Sequence, residues 1–148
     1  MTLLDASRRI AVILVAGIAL AAAAADSQPA RRLALKGYDP VAYFEDGKAM
    51  KGNPRYSYAF DDATYNFRSE AHRAKFAAAP ERYAPQYGAY CAGGVSKGYK
   101  AEPDPEAWLI ANDKLYVFQY KDRVPEFRKR IAEVSAKADT NWPTVRKQ

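Results

Sequence analysis

One cysteine, one histidine and two methionines are the only thiol, imidazole and thioether groups in this 148-residue chain. Cys91 stands in "AYCAGG", His72 in "SEAHRAKF" and Met50 in "GKAMKG", while Met1 opens the chain. A thiolate beside an imidazole suits Cu(I), Zn(II) or a related ion. Two such donors satisfy a near-linear Cu(I) site but leave a four-coordinate zinc site open. Met50 would add a soft third donor. The residue types therefore nominate Cys91 and His72, with Met50, as ligands of Cu(I) or another soft metal. No C-x-x-C or H-x3-H spacing accompanies them. The competing reading is packing: free cysteine is among the most buried residue types, and small neighbours flank Cys91 on both sides.

Catalytic signatures are absent. The chain has no G-x-S-x-G, no phosphate-binding loop, no G-x-G-x-x-G and no H-E-x-x-H. A thiol protease would need Cys91 and His72 to touch, together with an orienting group and oxyanion donors. A lone cysteine excludes an internal disulfide and leaves thiol–disulfide exchange without a second thiol. The expectation is a non-enzymatic module.

The elements that must position these residues start beyond a distinct N-terminus. "MTLLDASRR" is a basic lead, and "IAVILVAGIALAAAAA" follows without a polar side chain. This pattern predicts a signal peptide over 1–25 with cleavage near Ala25. The apolar run is shorter than the roughly 20 residues a membrane-spanning helix needs, so no stable span is expected after cleavage. Ser7-Arg8-Arg9 also permits a twin-arginine export reading. The product would be periplasmic or secreted.

The net charge is +6, and loss of Arg8, Arg9 and Asp5 with the leader leaves about +5. The basic residues are scattered, which argues for a solvated surface rather than a nucleic-acid interface. All 11 tyrosines, six phenylalanines and two tryptophans lie beyond residue 37 and supply a core for one domain.

Residues 26–32 read as a mobile polar lead-in. Asp39-Pro40 suits an N-cap and first helical position for a turn over 39–44. "RYSYAF" (55–60) and "TYNF" (64–67) read as a hairpin around "DDA". Ser69 caps a helix that stops at Pro80, with His72, Lys75, Phe76 and Ala79 on one face. Residues 80–106 form a long Gly/Pro-rich loop carrying Cys91. "AWLIA" and "KLYVFQY" flank Asn112-Asp113 as a second hairpin. Pro125 opens a last helix with Phe127, Ile131 and Val134 on one stripe, and Trp142 docks the tail. The fold class is α+β: two hairpins forming a small antiparallel sheet, packed helices and the long loop.

"LKGYDPVAYFEDGK", "YSYAFDDATYNFRSEAHRAKFAAAPERYAPQYGAYCAGGVSKGY", "WLIANDKLYVF" and "ADTNWP" occur in that order. Together they resemble the exported YHS-domain proteins of bacteria over residues 33–143, leaving 144–148 as a tail. The resemblance implies a small α+β domain related to cysteine-based metal-binding modules of the TRASH type. Members fused to copper-transporting ATPases carry a cysteine after D-P-V, then F-C-S-x-x-C, then F-x-x-x-P-x-x-Y. Here Asp39-Pro40-Val41 is followed by Ala42, Arg68 stands between Phe67 and Ser69, and His72 falls at the third ligand position. Phe76, Pro80 and Tyr83 complete the match. Cys91 lies outside that short pattern, in a Y-C-A segment usual for the exported branch. Two of the three ligand positions of the ATPase-type site are thus not held by soft donors, and any copper-type metal would need a rebuilt site, most simply Cys91 with His72. The alternative is a metal-free interaction or small-ligand module, with Cys91 buried, serving an unidentified protein partner.

Overall fold

A computed structural model describes residues 30–148. The expected signal peptide and residues 26–29 of the lead-in lie outside the described residues. The elements in order are β1 (Arg32–Leu33), α1 (Pro40–Glu45), β2 (Asn53–Phe60), β3 (Ala63–Phe67), α2 (Glu70–Ala78), α3 (Pro80–Tyr83), α4 (Ala92–Ser96), β4 (Asp104–Ala111), β5 (Lys114–Phe118), α5 (Val124–Lys129) and α6 (Ile131–Val145). The fold is α+β.

Both hairpins form, but in separate sheets: one is β1-β3-β2 and the other is β4-β5. The turn at Asn112-Asp113 works because both residues adopt left-handed φ values of 51° and 59°, the backbone a two-residue hairpin turn needs. β1 is the element that periodicity alone does not reveal. Arg32 and Leu33 pair in parallel with Ala63 and Thr64, so the lead-in joins a sheet by residue 32.

Two core clusters result, and the β4–β5 hairpin is covered by both. Leu115 and Val117 belong to the first cluster, with Trp108 and Ile110 packed against it. Leu109, Tyr116 and Phe118 belong to the second, with Ala107 beside them. These sets alternate along each strand, as opposite faces of a pleated ribbon must. "WLIA" and "LYVF" are continuous apolar runs for that reason: neither face is wet. In the first cluster Phe76 is the hub. Its ring centroid lies 5.0 Å from those of both Tyr65 and Phe67, and 5.8 and 5.9 Å from those of Tyr58 and Phe60.

Residues 80–106 are not one irregular loop. They hold α3, a left-handed turn at Tyr87–Ala89 and α4, and then begin β4. The last helix also divides. Arg130, at φ −117°, breaks it into α5 and α6. The tail is integrated: α6 runs to Val145, which is buried, and Arg146 bonds Asp61. No described helix is long and apolar enough to cross a membrane.

Three buried tyrosines carry a pH consequence. Burial raises the phenol pKa of Tyr43, Tyr65 and Tyr87 above the ordinary 10.0, and the Asp139 carboxylate adds to the rise at Tyr87. The folded state keeps these phenols neutral, whereas the unfolded chain ionises them near pH 10. Their stabilisation is therefore intact below pH 10 and is lost as pH climbs toward the raised values. Tyr43 and Tyr65 should each remove about 1.4 kcal/mol per pH unit above that point. Urea midpoints measured from pH 8 to 11.5 should fall above pH 10, and Tyr65→Phe should flatten the slope. A slope unchanged in both Tyr43→Phe and Tyr65→Phe would contradict this.

Candidate functional site

Asp39 is fully buried, and every bond it makes sets the position of another element. Its Oδ1 accepts from the Val41 and Ala42 amides at 2.8 and 3.3 Å, capping α1. Its Oδ2 accepts from the Arg68 amide at 2.9 Å and from His72 Nδ1 at 2.7 Å. The Asp39 amide in turn donates to the Met50 carbonyl at 2.8 Å. Ser69 Oγ accepts from the His72 amide at 3.1 Å, the cap expected for α2. A carboxylate facing Nδ1 makes that nitrogen the N–H donor, so Nε2 is the ring atom left to act.

Nε2 faces a corner already holding a cation. It is 3.9 Å from Asp46 Oδ2, beyond hydrogen-bond range. Arg68 Nη1 lies 3.1 Å from the same oxygen and 3.2 Å from Met50 Sδ. Met50 and His72 thus meet one corner, and the guanidinium engages both the carboxylate and the thioether there.

Cys91 is elsewhere. It is 3 % exposed and packs in the second cluster, across the β4–β5 hairpin from the first. It is the residue before α4, where its amide donates to the Ala101 carbonyl at 2.9 Å and its carbonyl accepts from Val95 at 3.0 Å. Gly93 must lack a side chain, since a Cβ there would lie 2.9 Å from Phe127 Cζ. Cys91 lies in the second core, while His72 is bound to Asp39 beside the first. Among the described residues no group of three or more His, Cys, Asp or Glu side chains is placed to hold a metal ion.

Sequence reasoning treated Asp39 as a cap only and did not connect Asp46 or Arg68 with His72. It also missed four clefts, all lined in part by residues 84–103. A cleft of about 70 Å³ holds Cys91, Gly94, Tyr99, Tyr120 and Phe127. A second of about 50 Å³ lies among Arg32, Tyr90, Lys100 and Arg146. A third, about 240 Å³, lies beside Trp142 and Tyr87, and a fourth, about 300 Å³, lies among Ser96, Lys137, Thr140 and Asn141. The Arg32 guanidinium stacks 4.0 Å from the Tyr90 ring centroid, and it also bonds Glu102 and the Gly88 carbonyl. Tyr87, Gly88 and Ala89 are consecutive left-handed residues, with φ of 59°, 61° and 65°. Two of the three carry side chains that disfavour that region, at a cost of order 1–3 kcal/mol each. The bonds of Tyr87 Oη to Asp139 at 2.8 Å and to the Ser135 carbonyl at 3.2 Å help hold them there.

Asp39→Ala should lower unfolding stability by about 3–5 kcal/mol, because it leaves buried amides and an imidazole unpaired. His72→Ala should cost less, since three amides still satisfy the carboxylate. Urea unfolding of both variants checks this order, and equal losses would contradict it. No protein-family model, curated protein or solved structure matches the chain; the chemistry of these residues is what indicates their use.

Proposed function

We propose that this chain is a non-enzymatic, exported binding module that works without a metal and presents residues 84–103 to a small ligand. The observation that carries this reading is that the one segment contributes to the lining of four clefts. Strained backbone fits the same use: residues held left-handed against their preference concentrate where a surface must keep one shape. Small-molecule sites are concave and mostly apolar, with a few placed polar groups; the clefts at Cys91 and at Arg32 have that character, and the one beside Trp142 has the more polar wall.

Export rests on the leader-like N-terminus and on the resemblance to exported YHS-domain proteins. A copper-type site through Cys91, His72 and Met50 is the other reading. His72 favours it, since a carboxylate on Nδ1 is the usual support for a metal-ligating imidazole, and Met50 is near. Against it stand the placement of Cys91 in the other core and the Arg68 guanidinium beside Met50 and Asp46. The thiol then serves packing: it fills the space between α4 and the hairpin as a small apolar side chain.

Two measurements separate these readings. Anaerobic titration with Cu(I) under a competing chelator should reveal no stoichiometric site that vanishes in both Cys91→Ser and His72→Ala; such a site would overturn the metal-free proposal. A fragment screen read by amide chemical shifts should move residues of 84–103. Shifts confined to other surfaces would count against the segment as the binding face.

A further inference from the structure

We infer that the cleft beside Trp142 binds a small organic cation, either a methylated ammonium or an alkylguanidinium. This rests on the reading of residues 84–103 as the ligand-facing surface and names the ligand class for one of its clefts. The walls are Phe60 from the end of β2, Tyr65 from β3, Tyr87 from the left-handed turn and Trp142 from α6, with the carboxylates of Asp61 and Glu81 at the margin. No lysine or arginine lines it. Asp61 is already paired with Arg146 at the edge, so four ring faces and the Glu81 carboxylate are what the cleft offers a cation, in a chain that as a whole carries +6. Attraction must then act at short range, through ring faces and the adjacent carboxylate, rather than through the field of the whole molecule.

The ring geometry suits this ligand class. Tyr87 and Trp142 have centroids 6.0 Å apart at an interplanar angle of 66°, so they form two walls of a corner rather than a closed stack. A quaternary ammonium can sit against both. The volume of about 240 Å³ is far above the roughly 10–15 Å³ that a single water needs. Ligand cations over aromatic faces gain most when they are weakly hydrated, as methylated ammonium and guanidinium groups are.

The chain itself supplies a precedent. Arg146 lies 5.8 Å from the Trp142 ring centroid, and its Nη2 is 3.2 Å from Asp61 Oδ1. One internal guanidinium thus already uses the ring-and-carboxylate pair, from the side of the neighbouring small cleft. Tyr65, 2 % exposed, adds a tightly packed aromatic wall to the cleft.

The test is a titration of the purified protein with choline, and separately with its uncharged isostere 3,3-dimethylbutan-1-ol, followed by amide shifts and tryptophan fluorescence. Choline should bind at residues 60–65, 81–88 and 142, at least tenfold more tightly than the alcohol. Glu81→Gln, at an exposed position, should weaken choline several-fold while leaving the alcohol unchanged. Trp142→Leu, checked for folding by circular dichroism, should abolish the preference. Equal binding of both compounds at this cleft would overturn the cation inference yet keep the segment as a binding face. Fragments that move only the other three clefts would do the same. If neither compound nor any fragment moves residues 84–103, the underlying reading fails as well.

Discussion

A carboxylate removed from water has to find donors, and where it finds them decides the arrangement around it. Asp39 takes four: two amides from α1, one from the end of β3 and the imidazole of α2. Helix α1, strand β3 and helix α2 are consequently tied at one point by bonds to charge, which are stronger and more directional than apolar contact. The Met50 carbonyl joins through the Asp39 amide. Once the Arg68 amide is fixed there, its side chain has few places to go, and it reaches Asp46 and the Met50 sulfur. The corner that a sequence reader would give to a metal ion is thus arranged around a guanidinium, and His72 is oriented without needing an ion to hold it.

The segment from Ala84 to Pro103 solves a different problem. It passes between the second core and the surface with little regular structure, so its backbone groups need individual partners. The Gln86 amide finds the Leu115 carbonyl, the Cys91 amide finds the Ala101 carbonyl, and Asn141 covers the carbonyls of Val95 and Ser96. Small residues let it pass closely under its neighbours: Gly93 lies beneath Phe127, and Gly94 beneath Tyr99. A thiol suits the same space because it is compact and tolerates an apolar setting. The large side chains of the segment are directed elsewhere, and Tyr87 and Tyr90 meet Trp142.

Local signals were the legible part of the sequence. Asp39-Pro40 and Ser69 announced their helices because a cap is a short-range interaction with a fixed residue signature, and Asn112-Asp113 announced its turn for the same reason. Pairings between distant residues were not legible. Two-residue β1 has no periodicity to read, and its parallel partner lies some thirty residues on. The break at Arg130 leaves no proline or glycine as a marker. Tyr87 and Ala89 adopt backbone that their residue types disfavour, so propensity pointed the wrong way there. His72 was singled out as a ligand, with its partner assigned by donor type, to Cys91. Nothing local to His72 reveals that a buried aspartate 33 positions earlier claims its ring.

The double coverage of the β4–β5 hairpin has a consequence for how the molecule holds together. A ribbon wet on one side can be misaligned and still bury something useful. Here a shift by one position would exchange Leu115 and Val117 with Tyr116 and Phe118, placing each set in a space shaped for the other. Both halves would be wrong at once. The hairpin therefore works as a shared key, and the two cores are bound to form, and to fail, as a single cooperative body.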